Sequence, residues 1–395
     1  MSKMKKVLYA MGILGLIPLG NNGLNAQNSS DTKFRPILTA VPSLRIAPDA
    51  QGAALGDQGV ATMPDTYSTY WNASKLSFMD SGAGISLSYT PWLKQLVNDI
   101  ALMHVGGYYQ FNDESKQSIG ASISYFTLGK IQQLDNMGMN MGEISPNEYS
   151  IDISYSRKLS PDFSMAVSLR YIRSDQGANK EMPAGNAFAA DISGYMHKYV
   201  NLGGAESLWT AGFNVKNIGT KISLDGGTTK NFIPTNLSLG TGLLYPIDNY
   251  NMIGVTVEAN KLLVPMKPIK TNDDTDNAAL FDEKLKKYNE MSPIAGIFKS
   301  FSDAPDGFSE EMSEIRWSCG LEYNYDHRFF VRAGYSYLNP NKGNLQYFTA
   351  GAGFKMSAIR IDASYLISTV PQNPLDQTLR FSLGFDMDGI KNLFK

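Results

Sequence analysis

From Tyr149 to Tyr171 the chain alternates residue by residue. Tyr149, Ile151, Ile153 and Tyr155 occupy one set of positions, and beyond Ser160-Pro161-Asp162 the set continues with Phe163, Met165, Val167, Leu169 and Tyr171. Between them stand Ser150, Asp152, Ser154, Ser156, Ser164, Ala166, Ser168 and Arg170. Period-two alternation on both sides of a turn predicts two antiparallel strands, each with one apolar and one polar face. Aromatics sit at the ends of the apolar faces with aliphatics between them. A lipid-facing barrel strand has this layout, its aromatic girdles flanking an apolar band while the other face lines a wet lumen. A soluble sandwich also alternates, so the rest of the chain has to decide.

The pattern recurs in about fourteen segments between Ala83 and Asp386, most of them near the roughly 9 to 11 residues that cross a bilayer on a tilt. Connectors at Asn112 to Ser115, Leu159 to Pro161, Pro246 to Tyr250, His327 and Ser357 are short. Those at Gly129 to Pro146, Asp175 to Asn186, Gly219 to Pro234 and Leu263 to Ser313 are longer and fall in the alternate slots, with Tyr199 to Glu206 rather long for a short slot. Outer-membrane barrels sort their connections in this way, and a sandwich has no reason to. The expected fold is all-β, a transmembrane antiparallel β-barrel of about 14 strands over residues 83–386, with an N-terminal cap or plug segment over 27–82. The 263–313 connector becomes a long outside loop with a helical pattern at Ala278 to Met291, and 387–395 a periplasmic tail.

Lys3, Lys5 and Lys6 precede an apolar run from Val7 to Leu19 and then Leu24-Asn25-Ala26, which reads as a signal peptide over 1–26 and an exported protein. The single cysteine, Cys319, cannot form an internal disulfide, so the fold is expected to hold without crosslinks. Cys319 lies in phase with Trp317 and Leu321, on the face expected to meet lipid. A formal charge of -2 over 395 residues gives no reason to expect nucleic acid. Beyond the leader, no uncharged apolar stretch approaches the roughly 20 residues of a membrane helix. A spanning chain must then be a closed barrel, since an open sheet edge in lipid leaves backbone groups unsatisfied.

Before the first strand stand Leu44-Arg45-Ile46-Ala47-Pro48-Asp49-Ala50, then Ala53-Ala54-Leu55-Gly56-Asp57, and later Trp71-Asn72. With these residues, the leader and the barrel, the chain resembles the PorV family, outer-membrane components of the type IX secretion system within the FadL-like barrels. After the tryptophan and asparagine it departs from the FadL-like pattern of proline, small residue, glycine, leucine, reading Ala73-Ser74-Lys75-Leu76. The resemblance implies a cell-outer-membrane protein that collects exported cargo proteins by their C-terminal domains as they leave the translocon. It would deliver them to a sortase-like attachment complex, with outer-membrane lipid around its wall. The other reading is a FadL-like channel for hydrophobic small molecules.

No catalytic set stands out. His104, His197 and His327 are scattered without metal-ligand spacing, and no enzyme activity, metal or cofactor is expected. Arg170, Glu258, Arg316, Glu322, Arg332, Arg360, Asp362 and Arg380 fall on lumen positions, where they either line a polar path or pair with one another. Candidate partner-binding residues are Ile294, Ile297, Phe298 and Phe301 in the long loop, together with Met137, Met139 and Met141 in the 129–146 connector. Trp71 and Asn72 mark the cap segment.

Overall fold

The computed structural model describes residues 34–92, 99–111, 116–134, 137, 139–177, 183–225, 229–268, 278–370, 373 and 375–389. The expected signal peptide and most of the expected tail lie outside the described residues. The strands are β1 (Ala83–Pro91), β2 (Ile100–Gln110), β3 (Ser118–Leu128), β4 (Ile131–Leu134), β5 (Asn140–Ile144), β6 (Asn147–Ser160), β7 (Phe163–Asp175) and β8 (Gly185–Leu202). They continue as β9 (Ala205–Gly219), β10 (Asn236–Pro246), β11 (Asn251–Leu262), β12 (Arg316–Tyr325), β13 (Phe329–Tyr337), β14 (Gln346–Met356), β15 (Ile359–Ser368) and β16 (Leu379–Asp386).

Among the described residues, all of these except β4 and β5 close into one antiparallel barrel of 14 strands, sealed where β1 pairs with β16. The β6–β7 hairpin pairs Ile151 with Tyr171, Asp152 with Arg170 and Ile153 with Leu169, so the alternation predicted for it is kept across the pair. Its apolar face points outward, leaving Ile153 65% and Leu169 66% exposed. An exposed apolar band continuing around a whole barrel would drive aggregation in water and is matched by lipid. Cys319 is exposed on this outer face.

Two details differ from the sequence reading. The 129–146 connector carries strands of its own, β4 and β5, paired as a hairpin outside the barrel. Tyr199 to Glu206 is not a long connector either, because β8 and β9 run on to leave only Gly203 and Gly204 at the turn, with φ of 61° and 89°. Two left-handed residues give the twist that a two-residue hairpin needs, and glycine adopts them without strain. At 18 and 15 residues these strands exceed what the bilayer requires, so the hairpin stands proud of the short-turn end.

Residues 40–77 run inside the barrel as a plug. The helix Ala50–Ala54 lies against β13 to β16, and the tight turn Ala73–Phe78 lies against β3, β6, β7 and β8 on the far side. Asp49 caps that helix by accepting from the Gly52 amide at 2.7 Å, and Trp71 Nε1 donates to the other oxygen of the same carboxylate. Asn72, fully buried, donates to the carbonyls of Val60 at 2.9 Å and Gly194 at 3.1 Å, and its own oxygen accepts from the Ser74 amide. Lys75, also fully buried, donates to the Gly59 carbonyl at 2.9 Å and to Thr62 Oγ1 at 3.0 Å. Lys75, one of the two residues that depart from the FadL-like pattern, thus ties two parts of the plug together. Plug and wall touch backbone to backbone at Gly334, where a Cβ would lie 2.2 Å from Gly56 N and from the Leu55 carbonyl carbon.

Candidate functional site

Of the charges expected in the lumen, Arg170, Glu322, Arg332, Arg360, Asp362 and Arg380 stand in ion pairs and Glu258 holds plug amides, while Arg316 donates to the Asp57 carbonyl at 3.2 Å. Arg170 is 5% exposed and pairs with Asp152, its cross-strand neighbour, and with Asp191 at 3.0 Å. Nearly opposite around the barrel, Arg332 pairs with Glu322 at 2.6 Å and Asp362 at 2.7 Å, and Arg360 pairs with Asp362 at 2.8 Å. Glu258 accepts from the plug amides of Gly59 and Val60, both at 2.9 Å. Enclosed charge is costly unless paired, and these pairs hold wall to wall and wall to plug.

The described parts of the 263–315 connection, residues 263–268 and 278–315, by contrast pack as a unit at the long-loop end. Its helix Ala278–Glu290 turns Phe281, Leu285 and Tyr288 along one stripe, and Tyr288 closes on Phe232 and Val264 in a small core with Ile37 and Met291. Ser292 caps the next helix, Pro293–Lys299, by accepting from the Ala295 amide, with proline at the position where no amide partner is needed. The third helix, Phe308–Ser313, supplies carboxylates to a clamp. Lys261, at the end of β11, pairs with Glu311 at 2.9 Å and Glu314 at 2.6 Å. Lys342, between β13 and β14, pairs with Glu310 at 2.7 Å and Glu314 at 3.0 Å, and Arg35 reaches Glu310 at 3.4 Å. Burial pushes the Glu310 and Glu311 carboxyls up, but hydrogen bonds from Lys342 to Glu310 and from Lys261 to Glu311 outweigh it and hold both below the ordinary value. Asp303, more burdened by burial, is raised.

On this clamped unit Ile294 is 54%, Phe298 74% and Phe301 50% exposed, while Ile297 is half-buried. Phe308, 79% exposed, and Met312, also exposed, lie on the third helix of the same unit, although the sequence reading did not single them out. The alternative methionines, Met137 and Met139, are exposed beside the β4–β5 hairpin, and the side chain of Met141 lies outside the described residues. That hairpin rises between β3 and β6, nearly opposite the β11–β12 connection, so the two candidate surfaces are not one patch.

Between the plug and the loops lies a cavity of about 380 Å³. Leu44, Arg45 and Tyr70 form its floor, and Lys216, Glu258 and Arg316 stand in its wall. Among the described residues no group of three histidine, cysteine, aspartate or glutamate side chains is placed to hold a metal ion. The sequence reading placed Glu258 and Arg316 in the lumen but did not single out Arg45 or Lys216 there. Arg45 sits in an irregular segment with no period to place it.

Over residues 28–269 the chain matches the family described as type IX secretion system protein PorV. No curated protein matches it. Among solved structures it is similar to the Pseudomonas putida toluene transporter TodX, at 11% identity over 85% of this chain and 96% of that one, with a TM-score of 0.47. It is also similar to the Ralstonia pickettii toluene transporter TbuX, at 10% identity over 87% and 97% of the two chains and a TM-score of 0.44. A Pseudomonas aeruginosa FadL homologue gives 11% identity, 86% and 98% coverage and a TM-score of 0.41.

Proposed function

Since the chain belongs to the PorV family of type IX secretion system proteins, outer-membrane β-barrels, we propose that it captures exported proteins by their C-terminal domains at its long-loop end. It then carries them in the membrane plane from the translocon to a sortase-like attachment complex. The observation that supports this reading is the outward set Phe298, Phe301 and Phe308 on a unit that six ion pairs among the described residues fix to the wall, the β13–β14 loop and the N-terminal segment. Aromatics held ready on a rigid support bind with little ordering cost, which is how interface anchors work. The lumen below is occupied by a plug bonded to the wall on both sides, and this weighs against passage through it. The cavity above the plug is what favours the second reading, a channel for hydrophobic small molecules.

Excising 263–313 outright would take Glu311 from Lys261 and Glu310 from Lys342, leaving both lysines on Glu314 alone, so a surface variant is the cleaner test. The double substitution Phe298→Ser with Phe308→Ser should leave the barrel heat-modifiable in a detergent gel and abolish recovery of cargo from solubilised membranes. Full cargo recovery by that variant would move the contact away from this surface, to Met137 and Met139 first. The channel reading instead expects normal secretion in the double variant and loss of hydrophobic-ligand uptake on changing Arg170 or Arg332.

A further inference from the structure

The end of β8 runs past the last rung that β7 offers it. The pairing of the two strands stops at Phe163 with Met196, after which the His197 amide donates to the Asp162 carbonyl at 2.8 Å. From Lys198 to Leu202, β8 pairs with β9 alone among the described residues, Tyr199 opposite Leu208 and Asn201 opposite Glu206. Along an antiparallel strand the amides and carbonyls of successive residues point to alternate sides. Since the His197 amide points toward β7, those of Tyr199 and Asn201 point the same way, past the end of β7, where no described strand receives them. The opposite edge of the hairpin is less open. There β9 stops pairing with β10 at Leu208 with Leu244, but Tyr245 continues alongside, its hydroxyl 3.9 Å from where a Cβ on Gly203 would stand.

The open edge is also held still. Tyr199 packs edge-on against His197 with ring centroids 5.6 Å apart, and His197 stacks at 5.0 Å on Phe78, the last residue of the tight turn of the plug. Lys158 lies over the same Phe78 ring at 4.0 Å. A lone two-stranded ribbon is marginal in water, and this one is braced from inside by the plug. Unpaired edges recruit extended chains unless proline, a bulge or charge blunts them. Lys198 is the one charged residue between His197 and Glu206, and among the described residues it makes no salt bridge. Beyond it Tyr199 and Val200 are good strand formers, and Tyr199 is 60% and Leu202 46% exposed.

We propose that the β7-side edge of β8 from Lys198 to Leu202 is a docking site, at the short-turn end that faces the periplasm, for an extended segment of a periplasmic protein. The segment adds as a further antiparallel strand, held by main-chain hydrogen bonds to Tyr199 and Asn201. Its side chains alternate in the same two directions as those of β8, so it carries β-branched residues opposite Val200 and Leu202 and a carboxylate opposite Lys198. This edge lies at the other end of the barrel from the cargo surface. The Phe298→Ser, Phe308→Ser variant should therefore bind such a segment unchanged.

The probe is a dye-labelled peptide, Gly-Val-Thr-Val-Thr-Glu-Gly, whose binding to the full barrel in dodecyl maltoside is followed by fluorescence anisotropy. Replacing its second threonine, opposite Tyr199, by proline keeps the charge and removes one main-chain donor, and should weaken binding about tenfold. On the protein, Asn201→Pro removes a donor from the open edge and spares the ladder to β9, so it should also weaken binding about tenfold. Asn201→Ala loses the same side-chain bond to the Gly204 amide but keeps the donor, and should bind within about twofold of the unmodified protein. Lys198→Glu should weaken binding about threefold. Should Asn201→Pro fail to give a heat-modifiable barrel, the proline peptide and Lys198→Glu decide. No binding of the parent peptide, a proline peptide that binds as tightly as the parent, equal binding by Asn201→Pro and Asn201→Ala, or indifference to Lys198→Glu would overturn the proposal.

Discussion

The plug and the long-loop unit are both packed against the same wall, but by different means. The plug is held largely by uncharged hydrogen bonds and backbone contact, among them Asn72 to Gly194, Ser318 Oγ to the Gly56 carbonyl at 2.7 Å, Thr349 Oγ1 to the Ala54 carbonyl at 2.9 Å, and Gly334 flush with Leu55 and Gly56, with the buried contacts of Glu258 to the Gly59 and Val60 amides and of Asp57 to Arg380 beside them. The loop unit is held chiefly by lysine and glutamate over a core of a few side chains. Neutral contacts respond little to pH, whereas ion pairs are lost when their carboxylates protonate. One attachment is therefore fixed, and the other can be tuned by the medium outside the cell.

The largest effect should come from intruding on the fixed attachment. Gly334→Val puts a branched side chain where plug backbone lies, and it should cost about 3 kcal/mol, seen as a fall in the temperature of heat modification. If that temperature is unchanged, the plug is not seated against β13. Asn72→Ala removes one side chain that serves three backbone groups, and a loss of about 2 kcal/mol is expected by the same measurement, nearly independent of salt.

The tunable attachment should yield to acid first. Because the folded Glu310 and Glu311 carboxyls lie below their ordinary 4.5, the clamp contributes fully above that value and is lost as pH falls through the folded pKa. Protonation of Asp303 works the other way, relieving a burial cost, and so blunts the transition. Protease added to intact cells should cut within the loop unit more readily once the pH is taken below the ordinary carboxylate value of 4.5, while the barrel stays whole. Equal cutting at pH 4 and pH 7 would mean that the charges do not hold it. The smallest effect concerns Cys319. A thiol reagent confined to water should label it poorly in intact membranes, and rapid labelling would place β12 in the opposite register.

The wall was legible because strand alternation has one period and two outcomes. Once Ile151 and Ile153 face lipid, Asp152 and Arg170 must face the lumen and each other, as they do. The barrel and its strand number followed from repeating that reasoning. The plug was harder, since Ala50 to Gly59 carries no long period, and small residues predict close packing without naming the surface they pack on. Lys75 illustrates the limit: a lone lysine in a tight turn reads as solvated, yet it is fully buried because two oxygens from elsewhere in the plug receive it. Phe308 and the clamp glutamates escaped notice for a related reason. Which of them pairs and which is left bare depends on Lys342 and Lys261, brought close only by the closed barrel.

The first described segment of the chain also touches the last strands. The Ala50 amide donates to Ser382 Oγ at 2.7 Å, and Tyr67 donates to the carbonyls of Leu87 on β1 and Leu383 on β16, across the seam itself. Contacts so distant in sequence are late and slow to form. The N-terminal segment must therefore wait, through the arrival of every other strand, to be enclosed by the last one. It serves as the mandrel around which the sheet is wound, so a chain stalled before β16 should leave residues 40–77 open to protease.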